Sequence, residues 1–356
     1  MHTRTRFLDT AALTASLCLG AAANAHHGPS VEPLYDTSAL VELDGVVTEV
    51  FWRNPHVRFR IDVAASGAEA EIWELEMSPI NILARAGLDG DLVQAGDRVR
   101  VAGVVSRRNV RHMALHHLLL PNGLEYAGRG TSRQLRFSDR RLSIEALPMA
   151  EATIEAAKRE ADGIFRVWAR GPEYGVGSSR SRHADSVLTE AALAAKAVFD
   201  KGTDPLMDCV PEGMPRGMLH PSSVEFIDEG ERILLLVQEH DLVRTIQLRA
   251  DAEPAERPAT PLGYSVGSWE GSTLVVETTR IDWPYSDGNG VPQSDEAMHI
   301  ERFTLSPDET RLDYEMTSVD PRYLREPSVR GGHWEWLPGV ELRPFECAVW
   351  EKQNDE

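Results

Sequence analysis

Apolar and polar residues alternate at period two in a series of short runs starting near Ala39, the spacing of half-buried strands. Leu43 and Val47, with Gly45 as an interruption, open a first strand that ends at Phe51-Trp52. Val57 to Val63 makes a second, and after the Ser66-Gly67 turn Ala70 to Met77 makes a third. The period then changes. Ser78 can cap a helix, Pro79 suits its first turn, Ile80, Leu83 and Ala84 carry the three-to-four spacing, and Gly87 ends it. Gly96 to Val104 and Met113 to Leu120 supply two more strands before Pro121-Asn122-Gly123. Three strands, a short helix and two strands follow the order of the five-stranded OB-fold barrel. The preceding stretch, 26–38, has no periodicity and reads as an extended arm.

Between 128 and 204 the pattern weakens. Ala146 to Ala161 is helix-like, Asp162 to Trp168 reads as one strand, and Gly171 to Asp185 is rich in Gly, Ser and Arg. Leu188-Thr189-Glu190 opens a helix that runs to Phe199, with Gly202 just past its end. From 205 onward the chain is β-rich again. Val224–Ile227, Ile233–Glu239, Leu242–Leu248, Tyr264–Trp269, Thr273–Thr278, His299–Leu305 and Leu312–Ser318 are closely spaced runs, and a last pair, Gly332–Leu337 and Phe345–Trp350, spans Pro338-Gly339. The expected protein is mainly β: an OB-like barrel (26–127), a partly helical connector (128–204) and an antiparallel barrel or sandwich (205–356), preferably a lipocalin-like barrel with an interior cavity.

Composition changes this picture in three ways. Arg4 and Arg6, an apolar run from Thr10 to Ala23 and the small-x-small string Ala23-Asn24-Ala25 read as a secretory leader over residues 1–25. Export to the periplasm or beyond is therefore expected, and no run is long enough to span a membrane. Loss of Arg4, Arg6 and Asp9 takes the formal charge from −19 to −20, which makes nucleic acid an unfavourable partner. Of the three cysteines, Cys18 leaves with the leader. Cys209 and Cys347 remain as a disulfide pair in an oxidising compartment, or as two separately buried thiols.

Two sets of residues carry resemblances. His26-His27, Leu43 to Val47, Trp52-Arg53-Asn54-Pro55-His56, Ser78-Pro79 and Gly96 to Gly103 resemble a family of exported bacterial domains of unknown function. Asp204-Pro205, Cys209 to Arg216, Leu262 to Thr279, Glu301-Arg302-Phe303, Asp320-Pro321 and Glu346-Cys347 resemble a second uncharacterised secreted family. Neither resemblance implies a reaction.

Three constellations can carry chemistry. Cleavage after Ala25 would leave His26 as the first residue, and His26, His27 and His56 together would suit copper or another divalent transition metal. The alternative is a His-His end that meets metal only adventitiously. His112, His116 and His117 form a second cluster on a strand, more simply read as a half-exposed barrel face. In the second barrel, His299 and Glu301 fall on one face of a strand, and Glu239, His240 and Arg244 come from an earlier hairpin. A carboxylate beside an imidazole between apolar walls is the arrangement of general acid–base work, so His299, Glu301 and Glu239 are the catalytic candidates. Tyr264, Trp269, Tyr314 and Arg302 (the last on the opposite face) are the candidate ligand contacts, with exposed cross-strand ion pairs as the plainer reading. Gly263-Tyr264-Ser265-Val266-Gly267 has the letters of a nucleophile elbow but lies in β context rather than at a strand–turn–helix.

The expectation is a periplasmic protein that binds a small apolar or aromatic molecule and carries an N-terminal metal site. The alternative is a cofactor-independent dehydratase, isomerase or hydrolase. A scaffold without a ligand is the third reading.

Overall fold

The computed structural model describes residues 35–54, 56–63, 71–80, 83, 88–107, 111–128, 134–142, 150–169, 183–200, 203–220, 222–249 and 256–347. The leader, His26 and His27 lie outside them. The chain is mainly β, and the described residues form a six-stranded N-terminal sheet and a nine-stranded C-terminal sheet.

In the first sheet, β1 (Tyr35–Phe51), β2 (Arg58–Val63), β3 (Glu71–Glu76), β4 (Arg98–Ser106) and β5 (His112–Leu119) close on themselves. β1 lies between β2 and β4, and β3 runs antiparallel to β2 and parallel to β5, which closes the ring in the OB order. β6 (Glu125–Ala127) adds to the outer side of β5. β1 begins at Tyr35, so the end of the expected arm is already strand, and a register shift between Asp36 and Val41 lets it follow β4 around the barrel. Alternation does what it predicts: Val47, Phe59, Ile61, Leu75, Val99, Val101, Met113 and Leu115 fill the interior. Gly45 is needed where β1 bends over β2, since a Cβ there would lie 2.8 Å from the carbonyl oxygen of Asp62. Of the helix expected after Ser78, the described part is its first turn, where the Leu83 N–H donates to the Pro79 carbonyl at 3.1 Å.

The connector contributes α1 (Glu151–Glu160), α2 (Glu190–Val198) and the first strand of the second barrel, β7 (Val167–Trp168). Thr189 caps α2 by accepting from the Ala192 N–H. β8 (Val224–Asp228), β9 (Arg232–Val237), β10 (Leu242–Gln247), β11 (Tyr264–Glu270), β12 (Thr273–Thr279), β13 (Met298–Leu305), β14 (Arg311–Val319) and β15 (Ser328–Glu335) follow in spatial as well as chain order. The barrel closes where Ala169, just past β7, exchanges backbone hydrogen bonds of 3.0 and 2.8 Å with Glu335.

Three details correct the expectation. The barrel is antiparallel except at one seam, since β10 and β11 pair in parallel. Its interior is packed rather than hollow: Trp168, Phe226, Phe303, Tyr314, Met316 and Trp334 occupy it, with ring centroids 5.0–5.2 Å apart along Phe226, Phe303 and Tyr314. A depression of about 550 Å³, lined by Arg302, Thr304, Asp313 and Glu315, lies on the outer face. Finally, of the expected last strand the described residues 345–347 do not pair with β15, and 348–350 lie outside the described residues. The Phe345 N–H goes to the Asp241 carboxylate and its carbonyl to the Asn54 amide, so the tail crosses to the first barrel instead.

Cys209 and Cys347 form a disulfide that closes a loop of 138 residues. From loop entropy alone, Cys209→Ala/Cys347→Ala should unfold in urea with a stability lower by at most about 5 kcal/mol. Peptide mass spectrometry without reductant should recover the two cysteines in one linked fragment, and finding both as free thiols would contradict the pairing.

Candidate active site

His299 and Glu301 do share the inner face of β13, as their parity requires, but each is committed to a different buried network. Glu301 accepts from both terminal nitrogens of Arg244, one at 3.0 Å, and from the Tyr314 hydroxyl at 2.8 Å. Arg244 also donates to Ser265 Oγ at 3.0 Å and Thr278 Oγ1 at 2.6 Å. Carboxylate and guanidinium are thus closed around each other, which leaves Glu301 poorly placed to move a proton. Ser265 is part of that network in mid-strand, not at a sharp turn.

His299 meets Ser318 Oγ at 2.9 Å and Gln293 Oε1 at 3.2 Å. Burial, aided by the positive charges of Arg330 and Arg244, drives its pKa well below the usual imidazole value and keeps it neutral. His183, from the connector, is held in the same way. It bridges Ser328 and Ser286, and burial with the nearby Arg330 charge lowers its pKa to about 2. Arg330 itself donates to Ser318 Oγ and the Ser286 carbonyl, both at 2.8 Å. This is an internal polar scaffold of neutral imidazoles, hydroxyls and cations.

The third catalytic candidate, Glu239, leads elsewhere. It sits in a short turn (Glu239–Asp241) between β9 and β10, and its Oε2 accepts from Ser222 Oγ at 2.8 Å. Its Oε1 lies 4.0 Å from Nδ1 of His220, whose other ring nitrogen pairs with Glu212. Glu212 in turn pairs with Arg216, four residues on, and Arg216 binds the Asp204 carboxylate with two contacts of 3.1 Å. Asp204, Arg216, Glu212, His220 and Glu239 thus form a series of alternating sign. All are buried except His220, whose side chain is 27% exposed and opens the series to solvent.

Local sequence explains the placement. Asp204 caps the turn Pro205–Asp208 by accepting from the Leu206 N–H, with Pro205 at the first position. The chain is then pinned by the Met214 N–H donating to the Pro261 carbonyl at 2.8 Å, and Arg216–Met218 turns back inside the barrel end. Burial opposes charge on His220, but the facing Glu212 carboxylate, helped by Glu239, outweighs it and raises the imidazole pKa. Burial raises Glu239, with the Glu212 charge adding and His220 and Ser222 opposing. A carboxyl that favours its proton thus stands next to an imidazole that favours its charge.

The remaining nominated residues scatter. Tyr314 is in the core, Trp269 stands at the barrel rim against Phe165, Tyr264 lines an outer surface with Val243 and Leu262, and Arg302 pairs with Glu270 at 2.7 Å. His240 packs its ring, tilted, against Phe345 at 4.6 Å between centroids. In the first barrel, His56 and His112 flank Glu76 at 3.7 and 3.6 Å, but Arg58 occupies the same carboxylate at 3.5 Å and His56 Nδ1 is bonded to the Met77 carbonyl. His117 is buried against Glu125 at 2.8 Å, whose carboxylate also receives the N–H groups of Arg136, Phe137 and Ser138. Among the described residues no group of three His, Cys, Asp or Glu is placed to hold a metal ion. Sequence reasoning missed His220, Glu212, Arg216 and Asp204. The spacing of Glu212 and Arg216, four apart inside the Cys209–Arg216 string, was the one signal that could have joined two of them.

A model of a family of unknown function (DUF6152) matches residues 15–114. No curated protein and no solved structure matches the chain.

Two outcomes follow from the scaffold. Glu301→Gln strands the Arg244 charge and should cost about 3–5 kcal/mol in urea unfolding, whereas Glu301→Leu with Arg244→Met should recover much of that loss. His183 and His299 bind protons in the unfolded chain near pH 6.5 but resist them when folded, so stability holds above that pH and falls as pH drops below it. For His183 the fall between pH 6.5 and 5 should be about 2 kcal/mol, and His183→Gln should flatten the measured slope.

Proposed function

We propose that the C-terminal barrel is an acid–base enzyme whose proton-transfer groups are His220 and Glu239, with Glu212 orienting the imidazole. The observation that carries this reading is a partly exposed imidazole set between two buried carboxylates, one of them stabilised in its protonated form. Arg216, itself held by Asp204, pairs with the other oxygen of Glu212 and fixes that carboxylate against His220. His220 then supplies the mobile proton at the open end of the series, and Glu239 supplies or receives a second. With Glu239 protonated the set carries no net charge to draw an ionic substrate, so a small uncharged, apolar or aromatic molecule is the substrate class, and dehydration, isomerisation or hydrolysis the reaction class. The Cys209–Cys347 disulfide supports an exported protein in an oxidising compartment.

The test is turnover in deuterated buffer of a panel of small ketones, β-hydroxy ketones and aryl esters, followed by mass spectrometry. An isomerase incorporates solvent deuterium at carbon, a dehydratase gives the enone lighter by one water, and a hydrolase releases the acid. Glu239→Gln and His220→Asn should each lose at least about a hundredfold in rate while keeping the wild-type circular dichroism. Variants as active as the wild type would overturn the assignment, as would a panel that the wild type leaves untouched at every pH from 5 to 9.

A further inference from the structure

We infer that Asn54, in the N-terminal barrel, is a positioning residue for the Glu239–His220 pair in the C-terminal one, acting through the tail segment 343–347. This rests on the assignment of that pair as the proton-transfer groups. Asn54 belongs to the Trp52–His56 string, to which the proposed chemistry gives no role.

The connection is short and every link is a named contact. Asn54 is buried; its side-chain oxygen accepts from the Ile80 N–H at 3.0 Å, and its amide nitrogen donates to the Phe345 carbonyl. The Phe345 N–H donates to Asp241 Oδ1 at 2.9 Å, and the Phe345 ring lies against His240. Gln238, on the other side of Glu239, donates to the Arg343 carbonyl at 3.2 Å. The turn that carries Glu239 is therefore held on both flanks by the tail. Two residues beyond Phe345, Cys347 is bonded to Cys209, three residues before Glu212. The tail thus ties together the two pieces of chain whose carboxylates face His220, and Asn54 fixes it to the first barrel.

Backbone geometry points to the same place. Of the six described non-glycine residues with positive φ, four lie on this connection: Cys209 (58°), His240 (55°), Asp241 (50°) and Glu346 (45°). Left-handed conformations at Cys, His and Glu persist only where the surroundings enforce them. Freed from the tail, the turn would relax, and the 4.0 Å gap between Glu239 and His220 would change with it.

Asn54→Asp is the discriminating variant. It keeps the shape and the oxygen that accepts from Ile80 but cannot donate to the Phe345 carbonyl, and the intact disulfide keeps the tail attached. Two nuclear magnetic resonance measurements on the full chain read the effect: amide exchange at Asp241 and Phe345, and the titration of the His220 ring. Exchange at both amides should rise by about tenfold or more, and the His220 midpoint should fall by at least about half a pH unit. Asn54→Ala, should the aspartate variant not fold, must show the same pair of changes. If His220 titrates in the variant as in the wild type, Asn54 is only an adhesive between the barrels and the inference fails. A wild-type His220 that titrates at or below the ordinary imidazole value instead sinks the proton-transfer assignment, and this inference with it.

Discussion

Charge buried where water cannot reach it is the constraint that orders this molecule. The C-terminal barrel carries Arg244, Arg216 and Arg330 inside it, and a guanidinium cannot be discharged to escape the cost of burial. Each therefore dictates its neighbours. Arg244 demands Glu301 and takes Ser265 and Thr278 as well, while Arg216 demands both Asp204 and Glu212. Arg330 is served by a carbonyl and a hydroxyl, and burial lowers its pKa to about 10 against the opposing pull of the Asp287 charge. The two imidazoles closest to it are pushed to neutrality for the same reason. A closed network of this kind specifies one packing and spends its groups in doing so.

This separates the interior from the end of the barrel. Inside, Glu301 and His299 have every partner they can use, and neither has solvent to exchange with. At the end, the series Asp204, Arg216, Glu212, His220 is two negative and two positive charges, already neutral as a set. Glu239 is the fifth member, and an ionised carboxylate there would leave the buried set with a net charge. It keeps a proton more readily than an ordinary Glu, and its neighbour His220 is the member that reaches water. The proton that makes the set neutral thus sits beside the one member that can exchange with water.

Much of the architecture was legible because strand side chains alternate with period two and the barrel interior rewards the apolar half. β2, β3 and β9 to β14 could be read that way, and the placement of His299 and Glu301 on one face followed from parity alone. Parity carries no information on strand direction, so the parallel seam between β10 and β11 was invisible. Nor does it say whether a barrel is filled, which depends on the summed volume of Phe226, Phe303, Tyr314 and Trp334 facing one another. The charged cluster at the barrel end was illegible for a different reason. Glu212 and His220 lie on irregular chain, outside any repeating pattern, and they meet Glu239 only because the chain folds back under the β9–β10 turn. Glu239 can be named from the sequence, but the neighbouring imidazole cannot: His240, with a left-handed backbone, places its ring against Phe345, and it is His220 that lies beside Glu239.

At its described residues, 345–347, the tail shows why the expected last hairpin was a reasonable guess and is not what forms there. A hairpin partner on β15 would have satisfied the backbone of 345–350 by ladder hydrogen bonds. In its place the Phe345 N–H finds a carboxylate, its carbonyl finds a carboxamide, and Cys347 finds a covalent partner, so no hydrogen bond is forfeited at that residue. The ring is buried as fully as a strand residue would be. With local energetics this evenly matched, longer-range connection decides the outcome. A hairpin would have joined the tail to its own sheet alone, whereas the crossing joins the Glu239 turn, the Cys209 segment and the first barrel. The same few residues therefore stabilise the contact between the two barrels and set the geometry of the cluster at the barrel end, and selection on either would preserve both.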